Sequence, residues 1–508
     1  MRNTRTVAAY ILGIAGLAGI LALAIFLNNN APKPSDSTVI DVENLSTIDI
    51  DNGDLKIDWS TYPEYDLDLS ENATIAKGGI YHVAGELEDA PLVINAGNDK
   101  VKLVLNNVSI KNSKGPAIVC YAADDLVIEL KGENVLHDGN KYDSSYDDDV
   151  KGVIYSKADL TFEGSGSLIL TANYQDGIVG KDDVKFNSGN YTITAADDAI
   201  RGKDSVYIVN GDFNITSRSD GIKSTNAEIA GKGFVLIENG HIKIAAGDDA
   251  IHAEKNLYIY NGNIDITKSY EGLEAADVTL YGGNIKITSS DDGINGTEVI
   301  NITGGDIYVN ASGDGIDSNG YVYINGGNLT VDGPTNNGNG ALDSENGIIV
   351  KGGTVVAVGA SGMAASPANT STQYSASIFF DSTLPADTKL KIKKSSGDTI
   401  FRHTSAKSFS NLVVSMPEFQ LGETYSIYVD DEKVETFTLS NVTTIVGNSN
   451  NRFGPGQPGD QPGEMGPGGP NGNDMTPPED GMGPNDAPNE DIPSPDDQPT
   501  PPDGQRAK

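Results

Sequence analysis

The sequence predicts an all-β chain: a right-handed parallel β-helix of about 22 residues per coil, followed by a small C-terminal antiparallel β cap. Two observations carry the solenoid. First, a triplet of acid, small residue and Ile or Leu recurs: Asp176-Gly177-Ile178, Asp198-Ala199-Ile200, Asp220-Gly221-Ile222, Asp249-Ala250-Ile251, Glu271-Gly272-Leu273, Asp292-Gly293-Ile294 and Asp314-Gly315-Ile316. An eighth copy, Gly340-Ala341-Leu342, has lost the acid. The apolar positions lie 22, 22, 29, 22, 21, 22 and 26 residues apart, a fixed period with two insertions. Second, alternating apolar strands separated by Asn-Gly or Gly-Gly pairs fill each unit, as in Val206–Val209, Asn210-Gly211, Phe213–Thr216. Period-two alternation buries one face of each strand. The cap is read from a third observation, the failure of the repeat after about Ala360.

The elements follow in order. Residues 1–27 combine Arg2 and Arg5 with an uncharged run from Val7 to Leu27. That run is long enough to span a bilayer, and the basic start puts the rest of the chain outside. A cleaved signal peptide is the alternative, although its apolar region is usually shorter. Either way the folded part is expected to be exported: anchored at the cell surface by a single pass, or secreted. Residues 28–70 read as a linker and lead-in that includes Trp59, and residues 71–360 as the solenoid. Three short strands per 22 residues, with β-branched interiors and Asn or Gly corners, suit a β-helix coil. A β-propeller blade needs about 40 to 45 residues, so the unit is too short for one. The acid-rich stretch Gly132–Asp149 is expected to bulge from one coil. Residues 361–447 carry strands of another kind, including Lys389–Lys393, Asn411–Ser415 and Thr424–Val429, which are expected to cover the open end. Residues 448–508 are rich in Pro, Gly and Asp with almost no large apolar side chain, the composition of a disordered tail.

Composition narrows the function. With 35 basic and 72 acidic side chains the net charge is −37, which argues against a nucleic-acid partner. The single cysteine, Cys120, excludes a disulfide framework and any multi-cysteine metal site, and its apolar surroundings read as a buried, inert thiol. A monomer is expected.

Stacking gives the repeat its chemistry. Equivalent residues of successive coils sit about 4.8 Å apart. The triplet acids then form a file, with Asp197, Asp248 and Asp291 beside it, and like charges at that spacing repel by about 1 kcal/mol or less per pair in water. A shared divalent cation is the simplest compensation, and calcium takes six to eight oxygens. The other reading is a file of Asp turns whose carboxylates bond backbone amides. One position after each Ile or Leu runs a second column: Val179, Arg201, Lys223, His252, Glu274, Asn295, Asp317 and Asp343. Arg201, Lys223 and His252 should be neighbours, either as rungs of an ion-pair ladder or as a subsite for a sugar carboxylate. Asp292, Asp314 and Asp317, with Asp291 and Asp343 near them, form the better metal cluster. Tyr207, Tyr258, Tyr281, Tyr308, Tyr321 and Tyr323 fall in near-register, which plain β packing explains.

Asp176–Asp183, Asp198–Asp204, Lys407–Ser410 and Gly422–Tyr425 resemble the bacterial carbohydrate-binding domain-containing β-helix proteins, over about residues 60 to 445. The resemblance implies an exported, calcium-containing right-handed parallel β-helix, similar in fold to family 9 pectate lyases, that binds cellulose and acidic sugars such as polygalacturonate. It implies metal ligands among Asp197, Asp198, Asp220, Asp248, Asp249, Asp291, Asp292 and Asp314. The pattern departs at Glu271 and Gly340, which sets those coils apart. Three functions follow: a non-catalytic, calcium-dependent binder of acidic or plant cell-wall polysaccharide, ranked first; a polyuronate lyase with Lys223 as the base of a β-elimination; and a structural or adhesive surface solenoid.

Overall fold

The structure is a computed structural model, and it describes residues 57–69 and 73–449. The segments read as a membrane anchor or signal (1–27) and as the tail beyond residue 449 lie outside the described residues. Among the described residues no helix is long and apolar enough to cross a membrane.

The chain is a parallel β-solenoid of about 13 turns with a small antiparallel sheet beside it. Each regular coil contributes three short strands, one to each face. On the coil at residue 200 these are Ile200–Gly202, Ser205–Ile208 and Asp212–Ser217. The partners on the next coil are Ile222–Ser224, Phe234–Ile237 and His241–Ala245, all parallel and in register. The first coil already uses Glu64–Asp68, which pairs in parallel with Gly79–Glu88.

The repeat dictates this arrangement through its apolar positions. Ile178, Ile200, Ile222, Ile251, Leu273, Ile294, Ile316 and Leu342 stack inside the solenoid, each 2% exposed or less. Burying one such side chain stabilises by roughly 1.5–3 kcal/mol, and the stack adds one at every coil. Toward the N-terminal half, aromatic rings join the stack: Phe162 lies on Phe186 at 4.8 Å and Tyr191 on Phe213 at 4.7 Å, both near-parallel. The corner between second and third faces needs glycine. At Gly327 φ is +77°, and an added Cβ would lie 2.7 Å from the backbone of both Gly304 and Gly305 in the coil before.

The stretch Gly132–Asp149 is only partly a bulge. Glu133–Asp138 is a regular strand paired with Ser167–Thr171, so the excursion is confined to about residues 139–150. Tyr142 and Val150 from it, with Tyr146, pack on Val119, Tyr155 and Val179. Those three occupy the outward positions of the first face, so the insertion covers an apolar patch.

The far end is closed as the break in the repeat predicts. Phe409–Ser415 runs antiparallel to the last solenoid strand, Thr354–Gly359, and ends parallel growth. Lys389–Lys394, Thr399–Thr404, Thr424–Val429 and Glu432–Thr438 form the separate four-stranded antiparallel sheet. Its core joins Phe401, Phe419, Tyr425 and Phe437 to the end of the solenoid. His403 contacts Asp332 at 3.0 Å, tying this sheet to the solenoid's third face.

Candidate functional site

The acids line up along one edge, just before the first face. Each carboxylate accepts a hydrogen bond from the amide at the same position one coil on. Asp198 N–H donates to Asp176 Oδ1 (3.3 Å), Asp220 N–H to Asp198 Oδ1 (3.1 Å), Asp249 N–H to Asp220 Oδ1 (3.0 Å), and Glu271 N–H to Asp249 Oδ1 (3.3 Å). The longer side chain of Glu271 turns instead to Asn295, whose Nδ2 lies 3.1 Å away. The file resumes with Asp314 N–H on Asp292 Oδ1 (2.6 Å) and ends with Gly340 N–H on Asp314 Oδ1. One oxygen of each Asp is therefore structural, bonding between coils rather than within its own turn.

The second oxygen differs from coil to coil, because the adjoining column changes character. Register places Val93, Val119, Tyr155, Val179, Arg201, Lys223, His252, Glu274, Asn295 and Asp317 in one row. The apolar end lies under the insertion. In the middle, Arg201 reaches Asp176 Oδ2 at 2.6 Å and Asp198 Oδ2 at 3.7 Å. Lys223 pairs with Asp220, and His252 contacts Asp249 at 3.3 Å and pairs with Glu274. The three basic residues are neighbours, as expected, and each faces acids of its own chain, which is the ion-pair ladder. At the far end Asn295, Asp317 and Asp343 bring no cation.

Electrostatics follow this gradient. Burial would pull the His252 imidazole down, but Asp249 and Glu274 outweigh it and push it up to about 10. Burial likewise acts to lower Lys223, yet the bond to Asp220 and the charges of Asp198 and Asp249 hold it above the usual lysine range. The adjacent Arg201 and His252 do not lower Lys223, since the charges acting on it most are carboxylates. Asp176, fully buried, is pushed up to about 7 by burial despite Arg201. Asp220, Asp248 and Asp249 are raised, first by burial. On the coils without a cation, burial and then mutual repulsion lift Asp292 to about 6 and Asp314 to about 7. Asp317 and Asp343 are raised as well, burial again leading.

Two sets of the sequence-predicted acids converge: Asp220, Asp248 and Asp249, and Asp292, Asp314 and Asp317, in each of which ligand oxygens lie within 4.8 Å of one another. The first set stands against Lys223 and His252. Among the described residues, no Lys, Arg or His pairs with any member of the second. Asp291 joins the second set from the side: the Oδ1 atoms of Asp291 and Asp292 crowd the space where Gly313 would carry a Cβ. That hard, all-oxygen donor set with a cradle over a glycine suits calcium. Asp198 lies by Arg201, and Asp197 and Asp198 both fall outside the two sets.

Another acid file, on the corner between first and second faces, was missed. Asp125, Asp159 and Asp183 are in register, and Asp159, Asp182 and Asp183 converge. Lys232, from the seven-residue insertion, reaches Asp183 at 3.1 Å, and Lys100 reaches Asp124 at 3.0 Å. Asp124-Asp125, Asp159, Asp182-Asp183 and Asp204 were visible in the sequence, but their irregular spacing hid the register. The tyrosines are mostly packing: Tyr207 and Tyr258 are buried beside Phe234 and Leu236, and Tyr281 stacks on Tyr260 at 4.3 Å.

Fold and site together define a class: a parallel β-solenoid with an acidic edge that is internally neutralised on some coils and carries no counter-ion from its own side chains on others. The model of the family described as carbohydrate-binding domain-containing protein matches residues 70–277 and 269–412. A protein of the same description from Acetivibrio thermocellus is 42% identical over 207 residues, 40% of this chain and 72% of that one. The chain belongs to this carbohydrate-binding domain family. A solved structure of a polysaccharide lyase-like protein from C. thermocellum, a gadolinium derivative, is 31% identical with a TM-score of 0.39, covering 47% of this chain and 96% of that one.

Proposed function

We propose that this protein is an extracellular, non-catalytic, calcium-dependent binder of acidic polysaccharide of the polygalacturonate class. The carrying observation is the contrast along one edge. Coils bearing Asp176 to Asp249 hold their own counter-ions, whereas the Asp292, Asp314 and Asp317 carboxylates converge without one. A divalent cation there would relieve repulsion that burial has made costly, and it would leave coordination positions for a sugar carboxylate. When bound, calcium supplies positive charge on an otherwise strongly acidic surface. The chain's own residues hold it through Asp292, Asp314 and Asp317, with Asp291 beside them. The lyase reading is less favoured, because Lys223 is ion-paired with Asp220 and its basicity is raised above the usual lysine range.

Retention on immobilised polygalacturonate, with calcium and then with chelator, tests this. Retention that chelator abolishes, with no unsaturated product absorbing in the ultraviolet, is the expected result. Product formation would make the protein a lyase. Failure to bind any glycan would leave the adhesive solenoid.

A further inference from the structure

The cations expected to meet an acidic sugar, Arg201, Lys223 and His252, are held by carboxylates of the same edge. The third face offers different ones. Two rows of its outward positions border a groove. One runs Asn190, Asp212, His241, Asn263 and Asn284; the other runs Thr192, Asn214, Lys243, Asp265 and Lys286. Between the coils of Asn190 and Asp265 this face holds an open groove of about 340 Å³, floored in part by Phe213 and Ile242 and lined by Asp212, His241, Lys243 and Asp265, with Lys286 one coil beyond its lining. A β-bulge borders it, with the register shifting between Ile244 and Ala245 so that Ala245 meets Lys268. Bulges of this kind re-aim side chains at the rim of a sheet.

We propose that this groove binds a carboxylate-bearing oligosaccharide lying along the solenoid axis; the inference rests on the acidic-glycan reading and assigns the face that takes the chain. His241, Lys243 and Lys286 are exposed, and among the described residues no carboxylate lies within ion-pairing distance of any of them. Lys243, Asp265 and Lys286 stand on three successive coils. Strand spacing puts the two lysines about 9–10 Å apart. A glycan with one ring per coil meets donor, acceptor, donor: a carboxylate at Lys243, a hydroxyl at Asp265, a carboxylate at Lys286. Asn214, His241 and Asn263 flank this line with groups that bond ring hydroxyls. A neutral glucan would leave both ammonium groups without a charged partner. The Asp292 and Asp314 carboxylates lie on a different edge of the coil, so any ion they hold and the groove are separable by mutation.

The experiment is affinity electrophoresis of the full chain through gels containing polygalacturonate, in calcium. It compares wild type, Lys243→Ala with Lys286→Ala, and a charge-matched control, Lys203→Ala with Lys389→Ala, on exposed positions elsewhere. Thermal unfolding and direct calcium titration accompany each. The groove variant should bind the gel roughly tenfold or more weakly, with calcium binding and melting unchanged and the control within about twofold of wild type. Equal weakening in both double variants would mean general charge attraction and would overturn the proposal. Full retention by the groove variant, with chelator-sensitive retention intact, would overturn it too and leave the calcium-dependent reading standing. No retention of wild type in calcium would bring down both. Wild-type retention by a neutral glucan gel alone would overturn the carboxylate assignment.

Discussion

Replacing Asp314 by Asn should reverse the sign of its effect on stability when calcium is added. Asp314 accepts the Gly340 amide through Oδ1, a bond that the Asn side-chain carbonyl preserves. The substitution therefore removes charge more than it removes structure. Burial, then Asp292, Asp343 and Asp317, hold the Asp314 carboxyl up at about 7 against an ordinary 3.8. Each pH unit is worth about 1.4 kcal/mol. Halved for partial exposure and solvent screening, ionising Asp314 in the fold costs on the order of 2 kcal/mol. The sign follows from the raised carboxyl: its stabilisation is complete below about pH 4 and is lost as pH rises through about 7. In chelator at pH 8, D314N should thus be more stable than wild type by about 2 kcal/mol. With an unfolding entropy near 2.1 cal/mol/K per residue over about 390 residues, that is roughly 2–3 °C in melting temperature. Calcium at a hundred times its dissociation constant should stabilise wild type by about 2.7 kcal/mol, some 3 °C. It should do little for D314N. Thermal unfolding followed by circular dichroism, with chelator and with calcium at pH 8 and pH 5, reads all of this. A D314N protein less stable than wild type in chelator, or one that gains as much from calcium, would refute the reasoning.

The remaining predictions concern other parts of the edge and the core. His252, pushed up to about 10 by Asp249 and Glu274, should keep its imidazole proton resonances unchanged between pH 5 and 8, and a midpoint near 6.5 by nuclear magnetic resonance would contradict the ion-pair ladder. The stability that this pairing contributes is present below about pH 6.5 and fades as pH rises through about 10, so alkaline unfolding should be steeper in wild type than in H252Q. Cys120, buried with its thiol raised to about 11, should resist an aromatic disulfide reagent at pH 8 until the chain is denatured; rapid native reaction would show the site open. Gly327→Ala should cost upwards of about 2 kcal/mol by urea unfolding, since it combines a left-handed backbone with contact against the preceding coil, whereas a neutral result would mean the corner can shift.

Much of the site was legible because a solenoid converts sequence spacing into distance. The Asp-small-Ile period alone put Arg201, Lys223 and His252 on consecutive coils, and the observed register does the same. It also gathered Asp292, Asp314 and Asp317. Spacing did not say where each second carboxylate oxygen would go. Asp176 is met by Arg201 from the next coil, while Asp220 is met by Lys223 three residues on; both depend on side-chain reach across a corner. Nor did it reveal the Asp125–Asp159–Asp183 file, whose members are separated by unequal insertions.

The sequence by itself determined the coil length, the stacked Ile core and the file of acids, because period-two alternation and a 22-residue repeat admit few other closed arrangements of strands. Only the tertiary structure decided which charges cancel. Compensation depends on angstrom-scale distances between side chains from different coils, and on what covers them: residues 139–150 over the apolar start of the row, cations at its middle, none at its end. The third-face groove is likewise set by which outward side chains the register stacks together, which a one-dimensional period does not record.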